Sequence, residues 1–359
     1  MSSIAFYAPL KPPTHPTPSG DRAVARALLK ALGPEAELVS ELRVYDGKGA
    51  TGAQETLIDA AKIEAQNLIK QGHKQGWQAW FTYHNYYKSP DLIGPIVSKA
   101  LGIPYILLEA TRAKKRLDGP WAKFAELAET ACDHADAILY FTQHDRQALE
   151  AYRHNDQQIV HLPPFLAETE TVSSRDKPKS NKILSVGMMR AGAKSQSYTL
   201  IAQTLHALKT PDWHLNIVGD GPARADIETL FAPFGKQVTF LDQLDKPAIA
   251  ALYRNASVFL WPGVDEAFGM VYLEAQDAGL PVVAQDRPGL RDVIAPVTRL
   301  SAVDTIADMA QDIDHLLNDT AYWQNRSQTG IEHIRQNHLL GAARKNLMAI
   351  LTPLIRSKL

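Results

Sequence analysis

The sequence predicts an α/β protein made of two doubly wound domains, and three observations carry that prediction. At 359 residues the chain is too long for one ordinary domain and suits two. Short apolar runs alternate with amphipathic stretches throughout, the rhythm of βα units around parallel sheets. The rhythm breaks once, at residues 167–181 (AETETVSSRDKPKSN), a polar, Pro-containing stretch with no period, and then restarts. The expected boundaries are a first domain at 1–166, a linker at 167–181, a second domain at 182–338 and a terminal helix at 339–359. That helix has no strand left to accompany it.

In the first domain, strands are expected at Ile4–Ala8, Glu37–Ser40, Ala79–Tyr83, Tyr105–Leu108, Ala137–Phe141 and Ile159–Leu162. Helical patterns lie between them at Arg22–Leu32, Glu55–Lys70, Asp91–Leu101, Trp121–His134 and Asp145–Tyr152. Ser19 and Asp21 are placed to cap and charge the first helix. In the second domain, strands are expected at Ile183–Val186, His214–Val218, Val238–Leu241, Val258–Leu260 and Pro281–Ala284. Helices are expected at Tyr198–Leu208, Ala223–Ala232, Pro247–Tyr253, Met270–Ala278 and Thr305–Leu317, with helix alone from about Asp319.

Composition excludes several classes. Apolar residues are 45% and charged residues 21% of the chain, the balance of a globular protein with sizeable cores. A formal net charge of −1 argues against a general nucleic-acid binder. Cys132 is the only cysteine, so intrachain disulfides and thiolate metal cages are excluded. Met1 leads straight into the strand-like Ile4–Tyr7 with no basic and apolar leader, and no apolar run approaches bilayer length. A cytoplasmic protein without a signal peptide is expected.

The most informative segment runs from Trp261 to Ala284: a strand end, a Gly/Pro loop, a helix, then Gly279-Leu280-Pro281 before the next strand. Glu266 lies in the loop and Glu274 in the helix, with seven residues between them. At ~1.5 Å per residue, Glu274 stands roughly 7 Å along the axis from Gly269. The amides of Phe268, Gly269 and Met270 are expected to point outward between the two carboxylates. Helix N-termini favour phosphate, and Gly269 permits close backbone approach. The segment therefore offers a hydroxyl acceptor, an anion cradle and a second hydroxyl acceptor, which is the order of hexose, diphosphate and ribose in a nucleotide sugar. The rival reading is an amphipathic helix with solvated glutamates.

With EAFGMVYLEA followed by AGLPVVA, this segment resembles the retaining GT-B glycosyltransferases of family 4, marked by Glu, seven residues, Glu. The resemblance implies two Rossmann-like domains facing across a cleft, a terminal helix that crosses back to the first domain, no cofactor or metal, and a nucleotide-diphosphate sugar as co-substrate. It implies that Glu266 contacts donor-sugar hydroxyls and that Glu274 holds the ribose. In Ser185-Val-Gly-Met-Met-Arg-Ala-Gly-Ala-Lys-Ser195 it makes Arg190 and Lys194 the cations on the diphosphate, with Gly187 beside them, although the arginine usually follows the glycine directly. Such cations stabilise a leaving group whose charge grows in the transition state. Gly219 and Gly221, in Val218-Gly-Asp-Gly-Pro222, correspond to a turn lining the nucleotide; a tight turn with no ligand role is the alternative. Val238-Thr-Phe-Leu-Asp-Gln-Leu244, with Leu241 as a donor-binding residue, corresponds to the segment that usually meets the base, where Gln243 replaces a typical glycine. Gly289-Leu-Arg-Asp-Val-Ile294 resembles the turn after the last strand, with Asp292 where a glutamate is usual.

The first domain matches in outline. Gly20, in Pro18-Ser-Gly-Asp-Arg22, is what remains of a glycine pair that faces the donor phosphates. His84 follows a strand beside Asn85, Tyr86 and Tyr87, at an edge suited to the acceptor. Glu109 stands where the family often carries a second histidine near the donor sugar. The run Thr111-Arg-Ala-Lys-Lys-Arg116, with Leu117 and Trp121, suits weak peripheral contact with anionic lipid if the acceptor is a glycolipid, against a solvated loop. Asp312 and Asp314 read as surface residues on a late helix. The implied activity is transfer of a hexose-type sugar to a saccharide, glycolipid or small-molecule acceptor with retained configuration, the departing phosphate taking the acceptor's proton. A GT-B sugar-nucleotide epimerase and a silent nucleotide-sugar-binding protein are the alternatives. Sugar, base and acceptor are not specified by the sequence.

Overall fold

The computed structural model describes every residue except Met1, Ser2, Pro18, Asn155, Arg299, Asp304 and Leu359. The chain divides into two compact units. Unit 1 comprises Met1–Ala167 with Leu340–Leu359, and unit 2 comprises Glu168–Leu339.

Unit 1 holds a parallel six-stranded sheet of β1 (Ile4–Tyr7), β2 (Ala36–Ser40), β3 (Ala79–Asn85), β4 (Tyr105–Ala110), β5 (Ala137–Tyr140) and β6 (Gln158–His161). Their spatial order is β2-β1-β3-β4-β5-β6. Near-continuous apolar runs such as Tyr105–Leu108 are buried on both faces, as a sheet covered by helices on each side requires. The helices are α1 (Gly20–Leu32), α2 (Thr51–Gln75), α3 (Gly94–Leu101), α4 (Ala122–His134) and α5 (Gln143–Ala151). The pattern beginning at Asp91 yields a helix only from Gly94. The buried Asp91 carboxylate accepts from the amides of Ile93 and Gly94 at 2.9 and 2.8 Å and from the hydroxyls of Thr82 and Tyr105, which fixes a turn ahead of the helix.

The last helix, α12 (Leu340–Lys358), belongs to unit 1 and packs on α1. Leu340, Ala343, Leu347 and Leu351 are its buried stripe, spaced three and four residues apart. Arg344 donates to the carbonyls of Ala31 and Leu32 at the end of α1 at 3.1 and 2.8 Å and pairs with Glu35 at 3.0 Å.

Unit 2 holds a parallel five-stranded sheet in the order β11-β10-β7-β8-β9. Its strands are β7 (Lys182–Val186), β8 (His214–Val218), β9 (Val238–Leu241), β10 (Val258–Leu260) and β11 (Val282–Val283). Its helices are α6 (Ala193–His206), α7 (Arg224–Phe231), α8 (Lys246–Asn255), α9 (Met270–Asp277), α10 (Ile306–Asn318) and α11 (Thr320–Asn337). From Glu168 on, the polar stretch 167–181 belongs to this unit. Thr171 donates to Asp277 O at 2.9 Å, and Arg175 donates to the carbonyls of Ala278 and Arg254 at 3.2 and 2.7 Å.

Asp312, expected at the surface with Asp314, is largely covered, whereas Asp314 stays partly exposed. Asp312 is 11% exposed and accepts from Tyr322 Oη at 2.7 Å and Arg326 Nη1 at 2.9 Å. Asp314 accepts from Thr210 N at 2.9 Å and Thr210 Oγ1 at 2.6 Å. Both tether α10 to its neighbours. Within the 111–116 run, Arg112 turns inward, 1% exposed, and pairs with Glu129 and Asp133.

Candidate active site

In sheets of this kind ligands bind beyond the carboxyl ends of the strands, where strand order reverses. In unit 2 the reversal falls between β7 and β10. The loops leaving it are 187–192 and 261–269, which carry most of the residues selected from the sequence.

Helix α6 starts at Ala193 rather than Tyr198, so Lys194 sits in its first turn. A cation there opposes the helix dipole, and Glu266 compensates it. Lys194 Nζ donates to Glu266 Oε1, and the same oxygen accepts from the Trp261 indole at 2.9 Å. Lys194 Nζ also lies 5.2 Å from the Trp261 ring centroid. Side-chain exposures of 25% for Lys194 and 15% for Glu266 leave the pair reachable by a ligand yet shielded from bulk water. The sequence offered Trp261 only as a strand end; its role as the indole donor that orients Glu266 went unread.

Gly187 makes the space for that indole, since a Cβ on it would lie 2.6 Å from the Trp261 ring. Gly219 and Gly221 serve the chain's approach to itself: added Cβ atoms would meet the carbonyl oxygens of Gly187 and Met189 at 2.0 and 2.3 Å. Leu241 O accepts from Gly219 N at 3.2 Å and holds this turn to the sheet. Arg190 is exposed, and its guanidinium has no ion-pair or hydrogen-bond partner among the described residues. Its carbonyl accepts from the amide and hydroxyl of Ser195 at 3.1 and 2.8 Å.

Gly269 caps α9 with φ +70°, a conformation costly for other residues. Among the described residues the amides of Gly269 and Met270 donate to no backbone acceptor, while Phe268 is buried beneath them. One turn on, Glu274 accepts from Tyr253 Oη at 3.2 Å. Burial pushes its carboxyl above the usual range, against the opposing effects of that hydrogen bond and the Lys246 ammonium.

The six-stranded sheet of unit 1 reverses between β1 and β3. Gly20 opens α1 there, exposed, with open space where a Cβ would stand. Asp21 follows it, near the end of β3. His84 (φ +76°) and Glu109 (φ +60°) both adopt the left-handed conformation. They face each other across the β3–β4 ladder, between the registered pairs Tyr83–Leu108 and Asn85–Ala110. Each costs roughly 1–3 kcal/mol and persists because its surroundings enforce it. His84 Nε2 is 3.4 Å from Asp21 Oδ1, a long and poorly aligned contact, and Nδ1 is 3.9 Å from Glu109 Oε2. The contact with His84 holds the Asp21 carboxyl below its ordinary range, whereas burial pushes that of Glu109 up. The structure thus brings His84 and Glu109 together and adds Asp21, which the sequence offered only as a helix-capping charge. Among the described residues no group of three or more His, Cys, Asp or Glu side chains is placed to hold a metal ion. No helix among them is long and apolar enough to cross a membrane.

Residues 180–319 match the family model described as glycosyl transferases group 1. The sulfoquinovosyl transferase of Arabidopsis thaliana is 33% identical over 121 residues, covering 34% of this chain and 22% of that protein. The 2-deoxystreptamine glucosyltransferase of Streptomyces kanamyceticus is 26% identical over 255 residues, covering 64% of this chain and 65% of that protein. The chain therefore spans less than two thirds of the length of either. Among solved structures, sucrose-phosphate synthase from Thermosynechococcus elongatus superposes with a TM-score of 0.70 at 18% identity, covering 99% of this chain and 100% of that one. The Anabaena protein HepE in complex with UDP and glucose gives 0.68 at 13% identity, covering 98% and 100%. Residues 180–319 are thus similar to the group 1 glycosyl transferases, and the two parallel-sheet α/β units share the GT-B fold of these solved structures.

Proposed function

We propose that the protein is a retaining glycosyltransferase that moves a hexose-type sugar from a nucleotide-diphosphate donor to a saccharide, glycolipid or small-molecule acceptor. The observation that carries this reading is the cluster at the sheet reversal of unit 2. There an ion-paired Lys194 and Glu266, unpaired amides at Gly269 and Met270, and Glu274 follow one another along two loops and a helix. In this reading Glu266 takes donor-sugar hydroxyls, Glu274 takes the ribose, and Arg190 and Lys194 meet the diphosphate. His84 and Glu109 attend the reacting sugar or the acceptor. As the bond from the anomeric carbon to the phosphate oxygen stretches, the ring gains oxocarbenium character and that oxygen gains negative charge. Fixed cations favour this state over the ground state. The departing oxygen then accepts the acceptor's hydroxyl proton as the new bond forms on the same face. An epimerase or a silent binder shares the fold, but no observation favours either.

Glu274→Ala tests the donor side. It is expected to weaken binding of the bare nucleoside diphosphate by roughly 1–3 kcal/mol, read by calorimetry. A folded variant with unchanged affinity removes Glu274 from the site. Transfer is also expected to survive EDTA, because Lys194, Arg190 and the α9 amides supply the positive field. An absolute need for added Mg²⁺ or Mn²⁺ contradicts this account of the diphosphate.

A further inference from the structure

Unit 1 carries a second concentration of charge beside the His84 cluster, built from three loops that follow β2, β3 and β4. Two cations converge there on the same two rings. Lys88 Nζ lies 5.6 Å from the Tyr87 ring centroid and 5.3 Å from that of Trp121. The Arg116 guanidinium lies 4.9 Å and 5.8 Å from the same pair. Tyr87 and Trp121 meet edge to face at 5.8 Å, and Arg43 stands 4.7 Å over Tyr45 on the adjoining loop.

No acid among the described residues pairs with Arg43, Lys88 or Arg116, and Arg116 Nε is buried without a hydrogen-bond partner among them. The nearby Lys114 and Arg112, by contrast, are both paired with Glu129. Asp46 lies between the loops, and its carboxylate is turned inward and filled. It accepts from the amides of Lys48, Gly49 and Ala50 at 2.8, 3.0 and 2.8 Å and from Gln54 Nε2 at 2.8 Å. Its backbone, not its charge, serves the patch: Asp46 N donates to Lys88 O, and Asp46 O accepts from the Trp121 indole, each at 2.9 Å.

Two like charges held against one ring pair repel each other, and ring faces relieve only part of that cost. A neutral sugar would have to compete with the cations for those faces, whereas an anion uses both cations at once. The patch also adjoins the candidate reaction centre. Only Asn85 and Tyr86 separate Tyr87 from His84 along the chain.

We propose that Lys88, Arg116 and Arg43 form a subsite for an anionic group, phosphate or carboxylate, carried by the acceptor saccharide. This rests on the glycosyltransferase reading for the word acceptor, but the anion binding itself does not.

The test compares glucose 6-phosphate with glucose by ligand-observed NMR on the full chain. The phosphorylated sugar is expected to bind and glucose to bind at least about tenfold more weakly. Lys88→Gln and Arg116→Gln are each expected to weaken the phosphorylated sugar by about tenfold, while Arg116→Lys stays within about threefold because it keeps the charge. The comparison uses variants whose melting matches the wild type, and Arg116→Lys against Arg116→Gln separates charge from packing. Equal binding of both sugars, or glutamine variants that bind as the wild type does, overturns the proposal. So does co-sedimentation with phosphatidylglycerol vesicles that depends on Lys88 and Arg116 without any binding of glucose 6-phosphate, since that assigns the surface to a membrane. Parallel titrations with a panel of nucleoside diphosphates separate the two readings. Failure of all of them overturns the donor assignment in unit 2 and leaves the anion subsite standing.

Discussion

Replacing Lys194 by methionine is expected to lower kcat by on the order of a hundredfold, the loss seen when one transition-state donor is removed. Donor KM is expected to change less, because negative charge on the leaving phosphate grows only as the bond breaks. Methionine keeps much of the stem that packs near Trp261 while deleting the ammonium. The variant leaves Glu266 with the Trp261 indole at 2.9 Å as its remaining hydrogen-bond partner, so melting must be measured beside the kinetics. If kcat holds and only KM rises, Lys194 merely attracts substrate. If neither moves, the diphosphate cradle is misassigned, and the donor reading rests on the two glutamates.

The other large effect comes from a residue that touches no ligand in the proposed mechanism. A Cβ at Gly289 would lie 1.7 Å from Ala267 O, 2.6 Å from Ala267 C and 3.0 Å from Glu266 O. All three atoms are backbone, so no side-chain rotation relieves the overlap. The turn at Pro288–Asp292 thus lies directly against the loop that presents Glu266. Gly289→Ala is expected to cost about 1–3 kcal/mol of stability, as overpacking does. Displacing the loop is expected to weaken nucleoside diphosphate binding by about tenfold, since a small misplacement in a site is amplified. Thermal melting and calorimetry read the two separately. Wild-type values for both remove Gly289 from the support of this loop.

The strands were legible because parallel strands buried on both faces read as unbroken apolar runs, as at Ala137–Tyr140 and Val258–Leu260. The start of α6 was not legible. Its cap, Gly192 at φ +83°, offers no side-chain oxygen, and its opening residues Ala193–Gln196 are mostly polar. Glu266 and Glu274 stood out because a local loop-helix pattern carries them. The partners that orient them did not, since Trp261 and Tyr253 reach them through the fold. His84 and Glu109 could be named singly, but their shared left-handed conformation belongs to the ladder between two strands. Asp312 was misread for the same reason: Tyr322 and Arg326 of α11 cover a charge that looks solvated along the chain.

The return of α12 to unit 1 has a consequence for synthesis of the chain. Residues 168–339 are contiguous, so every segment of unit 2 has been translated before α12 begins. Unit 1 is then still missing the helix that covers α1 and supplies Arg344 to the carbonyls of Ala31 and Leu32. The first-made domain is therefore the last to be finished. Until Leu347 and Leu351 leave the ribosome, the apolar surface meant for them stays open, which is the kind of transient exposure that chaperones shield.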